Sequence, residues 1–289
     1  MSQRVLITAG ASGIGRAMAE TFERESADIW VVDNNAALLE SCPAFWNKSC
    51  LDVTDADAVH SLFEDINDHW GSFDTLCSNA GVAGPGAPIE EVSLDDWRSC
   101  VSVSLEGAFL FAKHTAPLMK AQRAGSIIIT SSTAGLFGFA NRSPYVSAKW
   151  AVIGLMKTLA IELGPFNIRA NALCPGPVEG ERMNFVADRE AEQKGRTRED
   201  VLAEYASGSS MRKLIRPEDI AEMASFLSSE KIPLYGYQQQ NVAWLVDLDK
   251  QISQDKLYCQ FPSHQGRSFN LGDGINLNFD DNGKLIRDE

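Results

Sequence analysis

The sequence predicts an α/β fold, a doubly wound parallel sheet flanked by helices on both faces. Three observations carry this expectation. Short β-branched runs alternate with helical patterns from residue 4 to about residue 230. The first run ends in a glycine-rich turn that opens a helix. A continuous apolar run at 126–131, SIIITS, reads as a central strand buried on both faces. At 289 residues the chain is long enough for one such domain and something more. Its net charge of −13 offers no basic face, which excludes nucleic acid and anionic membrane as expected partners. No apolar run reaches the length of about 18 residues that a membrane span needs. The six cysteines show no C-x-x-C pair or metal-like spacing, so they read as reduced thiols in a cytoplasmic protein, with no metal expected.

Taken in order, Arg4–Thr8 is the first strand, and Ala9-Gly10-Ala11-Ser12-Gly13-Ile14-Gly15 is the loop that leads into a helix. Strand, glycine loop and helix together bring a helix N-terminus against a pyrophosphate. Asp28–Asp33 is the second strand, and its last residue lies about twenty residues beyond the loop, where a carboxylate accepts the adenosine ribose hydroxyls and repels a 2′-phosphate. With neutral Asn34 and Asn35 beside it and no basic side chain in the loop, the expected cofactor is NAD rather than NADP. A third strand is expected at 49–53, closing on Asp52 and Val53 near the adenine; a helix at 55–70; and a fourth strand at 74–77, followed by Ser78-Asn79-Ala80-Gly81. After breaks at Pro85 and Pro88, apolar spacing predicts one long helical region over 94–119. Ser132 emerges from the central strand, Pro144 opens a further helix reaching about Leu163, and Ile168–Leu173 is the sixth strand, ended by Cys174-Pro175-Gly176-Pro177. The helix after Tyr145 is apolar almost all round, which predicts burial or a subunit interface.

Chemistry concentrates between Ser131 and Ala151. One turn of helix separates Tyr145 from Lys149, so both point the same way. A lysine ammonium beside a phenol favours the phenolate and lowers a pKa that is ordinarily about 10, giving an acid/base able to exchange a proton with an alcohol. Ser132 is the expected holder of the substrate oxygen. Taken alone, the Tyr-x-x-x-Lys spacing is equally that of a surface tyrosine above a surface lysine.

In this order and spacing, the segments Thr8-Ala9-Gly10-Ala11-Ser12-Gly13-Ile14-Gly15, Asp33, Asp52-Val53, Asn79-Ala80-Gly81, Ser132, Tyr145-x-x-x-Lys149, Pro175-Gly176 and Arg216-Pro217-Glu218-Asp219-Ile220-Ala221 resemble those of the short-chain dehydrogenase/reductase family, over roughly residues 4–230. The resemblance implies a Rossmann-type sheet and an enzyme that interconverts a secondary alcohol and a ketone by hydride transfer. It implies Tyr145 as general acid/base, Ser132 as hydrogen-bond donor to the reacting oxygen, and Lys149 as both a depressor of the tyrosine pKa and a holder of the nicotinamide ribose. It places the dinucleotide against Gly10, Ser12, Gly13, Ile14, Gly15, Asp33, Asp52, Val53, Asn79, Ala80, Gly81, Tyr145, Lys149, Pro175, Gly176 and Val178. A homodimer or homotetramer is also implied.

Three departures from the family pattern stand out. Ala9 replaces the usual glycine after Thr8. Ser104 stands where the family usually has the asparagine that helps to hold a water behind the lysine, so the proton relay is expected to be altered at this fourth catalytic position. The family's closing Val-Asp-Gly-Gly is absent: a run at 236–249 keeps Val246-Asp247 without the glycine pair, which puts the tetramer in doubt. The expected organisation is therefore one domain over 1–249, with a charged substrate lid at about 177–216, and an atypical extension at 250–289. Within that extension, Asn278 to Glu289 has the spacing of a calcium loop, but a polar hairpin or frayed tail reads better, because no entering helix is evident. Phe137 and Phe139 are candidates for an apolar substrate wall; Arg142, Arg182 and Arg212 read chiefly as solvated charges, with an anionic substrate as the alternative. Two competing functions stay open: an NADPH-dependent 3-oxoacyl-thioester reductase, and a weakly catalytic dinucleotide-binding sensor.

Overall fold

Six short strands run parallel: β1 Arg4–Thr8, β2 Asp28–Asp33, β3 Asn47–Cys50, β4 Thr75–Ser78, β5 Gly125–Thr130 and β6 Ile168–Leu173. Their order across the sheet is β3-β2-β1-β4-β5-β6. The computed structural model of the chain describes residues 2–229 and, beyond them, the backbone of three short strands. Helices α1 Gly13–Arg24, α2 Ala36–Glu40, α3 Ala56–Trp70, α4 Leu94–Val101, α5 Gly107–Gln122, α6 Ser143–Leu163, α7 Glu181–Lys194, α8 Arg198–Ser207 and α9 Pro217–Ser228 complete the first unit, Met1–Lys250. None among the described residues is long and apolar enough to cross a membrane.

The two-residue period of the strands sorts the core into two layers. Leu6, Leu76, Ile127 and Ile129 pack with Phe63 of α3, Phe111 of α5 and Met156 of α6. Val5, Ile7, Val31 and Ile128 point the other way, onto Met18 and Phe22 of α1 and Ile220 and Ala224 of α9. A sheet buried on both faces needs apolar residues at every strand position, as the run at 127–129 has.

The sheet order reverses between β1 and β4, so the chain leaves these two neighbouring strands toward opposite faces. A crevice at the carboxyl ends of the strands follows from that reversal, and the glycine loop after β1 and the Asn79-Ala80-Gly81 segment after β4 both open into it.

Two expectations need correction. The third strand stops at Cys50 and does not include Asp52 and Val53. There the Asp52 side chain accepts from the Thr54 amide and hydroxyl at 2.9 and 2.8 Å, and its carbonyl accepts from the Asp55 amide, turning the chain into α3. The single long helix expected over 94–119 is broken into α4 and α5 by a π-helical segment, Ser102–Glu106. Such segments are one turn long and lie inside a helical run, so a periodicity read over the whole stretch does not report them. Helix α6, expected to be buried or at a subunit interface, leaves Trp150 and Ile161 exposed in the single chain. The run at 236–249 lies outside the described residues.

The second unit, Gln251–Glu289, contains an antiparallel sheet of β7 Ser268–Asn270, β8 Asn276–Phe279 and β9 Leu285–Ile286. Asn278, where the calcium-loop spacing would begin, is a strand residue paired with Ile286. A calcium loop of that type follows a helix instead.

Candidate active site

Side-chain oxygens and amides tie the crevice together. Thr8 Oγ1 at the end of β1 accepts from the amides of Asn79 and Ala80 at 2.9 and 3.0 Å, locking the segment after β4 to the glycine loop. Asn79 Nδ2 donates to the Ala9 carbonyl at 3.5 Å. Asp33, buried at the end of β2, accepts from the amides of Ala11 and Asn35 at 3.2 and 3.1 Å. The same carboxylate expected to meet a ribose therefore also shapes the loop.

The glycine loop fits a dinucleotide pyrophosphate on two counts. Helix α1 starts at Gly13, and its N-cap Ser12 makes no side-chain capping bond, whereas α3, α4 and α8 are capped by Asp55, Ser93 and Thr197. With no acidic residue in its first turn, α1 presents unsatisfied N–H groups and the positive end of its dipole. The glycines clear the approach: Gly13 has φ +51° and open space around its Cβ position, while a Cβ on Gly15 would lie 2.0 Å from the Ala9 carbonyl oxygen. Ala9 itself has φ +49°, a left-handed conformation that glycine adopts without strain, which accounts physically for the departure at this position being unusual.

The catalytic candidates meet as the spacing of residues 132–149 implies. Ser132 follows β5 and caps a short turn: its hydroxyl accepts from the Ala134 amide at 3.1 Å and donates to the Pro175 carbonyl at 3.4 Å, beside the Tyr145 phenol. Pro175 is drawn to the same place, its carbonyl accepting from the Thr133 amide at 2.9 Å. Lys149 is buried on α6, where its Nζ donates to the Thr130 carbonyl at 2.8 Å. The Ser131 hydroxyl donates to the Lys149 carbonyl at 2.8 Å and holds that turn of α6 against β5. A Cβ on Gly81 would lie 3.2 Å from Lys149 Nζ and 3.3 Å from Ser104 Oγ, so these three residues converge. Ser104 is buried in the π segment, and its hydroxyl has no hydrogen-bond partner among the described residues.

Electrostatics favour the phenolate. Burial pushes the Tyr145 phenol up, but Lys149, Arg182, the Ser132 hydroxyl and Arg142 together outweigh it and bring it below its ordinary value of 10.0. Burial also lowers the Lys149 ammonium, opposed by the phenol and assisted by Arg182. Cys174 nearby is held neutral, its thiol pushed up to about 11 by burial.

Two arginines are where spacing did not lead. Arg182, at the start of α7, donates to the Gly81 carbonyl at 3.2 Å, and its guanidinium lies 5.8 Å from the Tyr145 ring centroid. Arg142, just before α6, lies 5.2 Å from the same ring. Arg142 is half-buried and Arg182 exposed, so Arg182 keeps the solvent contact expected of it while both stand beside Tyr145. Arg182 and Gly81 are 101 residues apart, and no local pattern links them. Asp52 and Val53 stand apart from this cluster: Asp52 is occupied by Thr54, and Val53 is buried against Gly107. Phe137 and Phe139 are both exposed at 45%. The charged segment expected at 177–216 holds α7 and α8, and Val178 is bridged to Ile215 at its base.

A family model described as "Enoyl-(Acyl carrier protein) reductase" matches residues 8–235. The trans-4-hydroxycyclohexanecarboxylate dehydrogenase of Sinomonas cyclohexanicum is 38% identical over 187 residues, 60% of this chain and 71% of that protein. The 3-oxoacyl-(acyl-carrier-protein) reductase FabG of Thermotoga maritima is 32% identical over 233 residues, 78% of this chain and 90% of that protein. Among solved structures, an NAD+-bound xylitol dehydrogenase superposes with a TM-score of 0.78 at 27% identity, covering 81% of this chain and 95% of the other.

Proposed function

Because the chain belongs to the short-chain dehydrogenase/reductase family, we propose that it is an NAD-dependent oxidoreductase interconverting a secondary alcohol and a ketone, with Tyr145 as general acid/base. The observation that carries this reading is Lys149 Nζ, 5.8 Å from the centre of the Tyr145 ring, where with Arg182 and Arg142 it favours the phenolate. A nicotinamide dinucleotide, when bound, supplies the acceptor or donor of the hydride. In the oxidative direction, Ser132 hydrogen-bonds the substrate hydroxyl oxygen and the Tyr145 phenolate takes its proton. In reduction the phenol returns that proton to the new alkoxide. Lys149, fixed by the Thr130 carbonyl, keeps the phenolate favourable and lies beside Gly81, where it can hold the nicotinamide ribose. The uncapped α1 N-terminus, with Gly10, Ser12, Gly13, Ile14 and Gly15, takes the pyrophosphate; Asn79, Ala80, Pro175, Gly176 and Val178 border the crevice.

The preference for NAD rests on Asp33. A 2′-phosphate needs a free cation at the end of β2, and Arg16 is committed instead to Glu20 at 2.6 Å and to the Trp46 ring at 5.1 Å. Asp33→Asn keeps an acceptor for the Ala11 amide and removes the charge. It should reduce the NAD+/NADP+ ratio of kcat/KM by about tenfold; an unchanged ratio refutes the role given to Asp33. The FabG relative favours a second reading, NADPH-dependent reduction of a 3-oxoacyl thioester, and a wild-type preference for NADPH would establish it over the first.

Ser104 is proposed as a weakened relay position. The longer Ser104→Asn side chain, with its own donor and acceptor, is expected to raise turnover several-fold at little change in NADH affinity. An unaltered rate would remove Ser104 from the mechanism. Exposed Phe109 of α5 and Trp150 and Ile161 of α6 support self-association as a homodimer. The free thiols Cys42, Cys77, Cys100 and Cys174, all buried, support a reducing, cytoplasmic location.

A further inference from the structure

The surroundings of Tyr145 hold more positive charge than proton transfer requires. Lys149, Arg142 and Arg182 lie 5.8, 5.2 and 5.8 Å from the centre of its ring. This clustering occurs in a chain of net charge −13, where carboxylates outnumber cations. On the neighbouring segments Arg198 is closed by Asp188, Arg196 by Glu204 and Arg216 by Asp219. Among the described residues, neither Arg142 nor Arg182 has a carboxylate within 4.0 Å. Arg182, though exposed, is directed: its hydrogen bond to the Gly81 carbonyl holds the guanidinium at the crevice.

Like charges gathered around one phenol repel one another, and the tyrosinate compensates only one of the three. The α6 N-terminus adds a positive dipole end behind Arg142, with no acidic residue in its first turn and no side-chain cap. A second anion placed between the two guanidinium groups relieves that imbalance. Their planar forks match a carboxylate, which can accept two parallel N–H bonds from each.

We propose that Arg142 and Arg182 form a carboxylate subsite, so that the substrate is a small hydroxy acid or the corresponding keto acid. This rests on the oxidoreductase reading above. The carbinol carbon lies at Ser132 and Tyr145, and the carboxylate lies between the two arginines. Oxidation breaks the C–H bond, the hydride passing to NAD+, and breaks the O–H bond, the proton passing to Tyr145; the carboxylate is unchanged. The two arginines act on substrate choice, and they also favour the phenolate.

The test uses the full chain with NAD+ and a panel of short linear and cyclic hydroxy acids, each beside its methyl ester and beside a phosphorylated polyol. For the acid turned over best, the ester should show a kcat/KM at least about tenfold lower. Arg142→Met and Arg182→Met should each shrink this acid-to-ester ratio by about tenfold, chiefly through KM of the acid. Taking the ratio cancels any common effect of the lost charge on Tyr145. NADH affinity, read by fluorescence, should stay within about twofold of wild type, which separates a substrate contact from a cofactor contact. Esters or the phosphorylated polyol used as well as the acids, or a ratio that survives both substitutions, overturns the subsite while leaving the oxidoreductase reading intact. If no alcohol of any kind yields NADH, the oxidoreductase reading fails instead. Calorimetric binding of cyclohexanecarboxylate to the NADH-saturated protein then decides the subsite alone: binding lost in both variants supports it, and no binding to wild type refutes it.

Discussion

Tyr145→Phe is expected to lower kcat/KM for alcohol oxidation by about 10²–10⁴-fold, the range that a positioned general base contributes. The substitution removes only a hydroxyl, from a side chain whose ring stays beside Arg142, Lys149 and Arg182. Thermal stability and NADH affinity should therefore change little, and a loss of both with activity would point to a structural role. The pH profile is part of the same test. Oxidation requires the phenolate, and the cations around it bring its pKa below the ordinary 10.0. Activity should therefore rise with pH and reach its plateau below pH 10 in wild type. The phenylalanine variant has no ionisable group at this position, so its residual rate should lack that limb. A wild-type profile flat across neutral and alkaline pH, with chemistry shown to be rate-limiting, would move the proton transfer to another group.

Gly15→Ala should be nearly as damaging, through a different mechanism. A Cβ at this position would meet the Ala9 carbonyl oxygen at 2.0 Å, the Ala9 carbonyl carbon at 2.8 Å and Asn79 Nδ2 at 2.9 Å. The first two are backbone atoms of a loop already held on both sides by Thr8 and Asp33, so no flexible side chain can yield. Displacing them costs on the order of 1–3 kcal/mol of stability, as overpacking does elsewhere. It also tilts the α1 N-terminus away from the pyrophosphate, and NADH binding should weaken by at least about tenfold. Thermal unfolding with and without NADH reads both effects. A variant with wild-type stability and NADH affinity would mean that the loop is not the rigid cradle described.

Much of this was legible in the chain itself. Strands and helices follow from two periodicities, and the run at 127–129 together with the turn at Pro144 set β5 and the start of α6 with little ambiguity. One helical turn brings Tyr145 and Lys149 together wherever α6 goes, so that pair is a local property. The sequence likewise indicated the α1 loop, since a glycine there is needed by backbone geometry rather than by a distant partner. Only the tertiary structure decided the rest. The π segment around Ser104 is a single turn inside a helical run, and the end of β3 depends on an Asp52 turn that competes with strand pairing. Arg142 and Arg182 have no assigned neighbour in a one-dimensional reading. The α7 start must first swing back over Gly81 before Arg182 meets the Tyr145 ring, and that approach spans 101 residues. Coulomb interactions depend on distance in space, so the charge balance of this site became visible only when the fold had brought its members together.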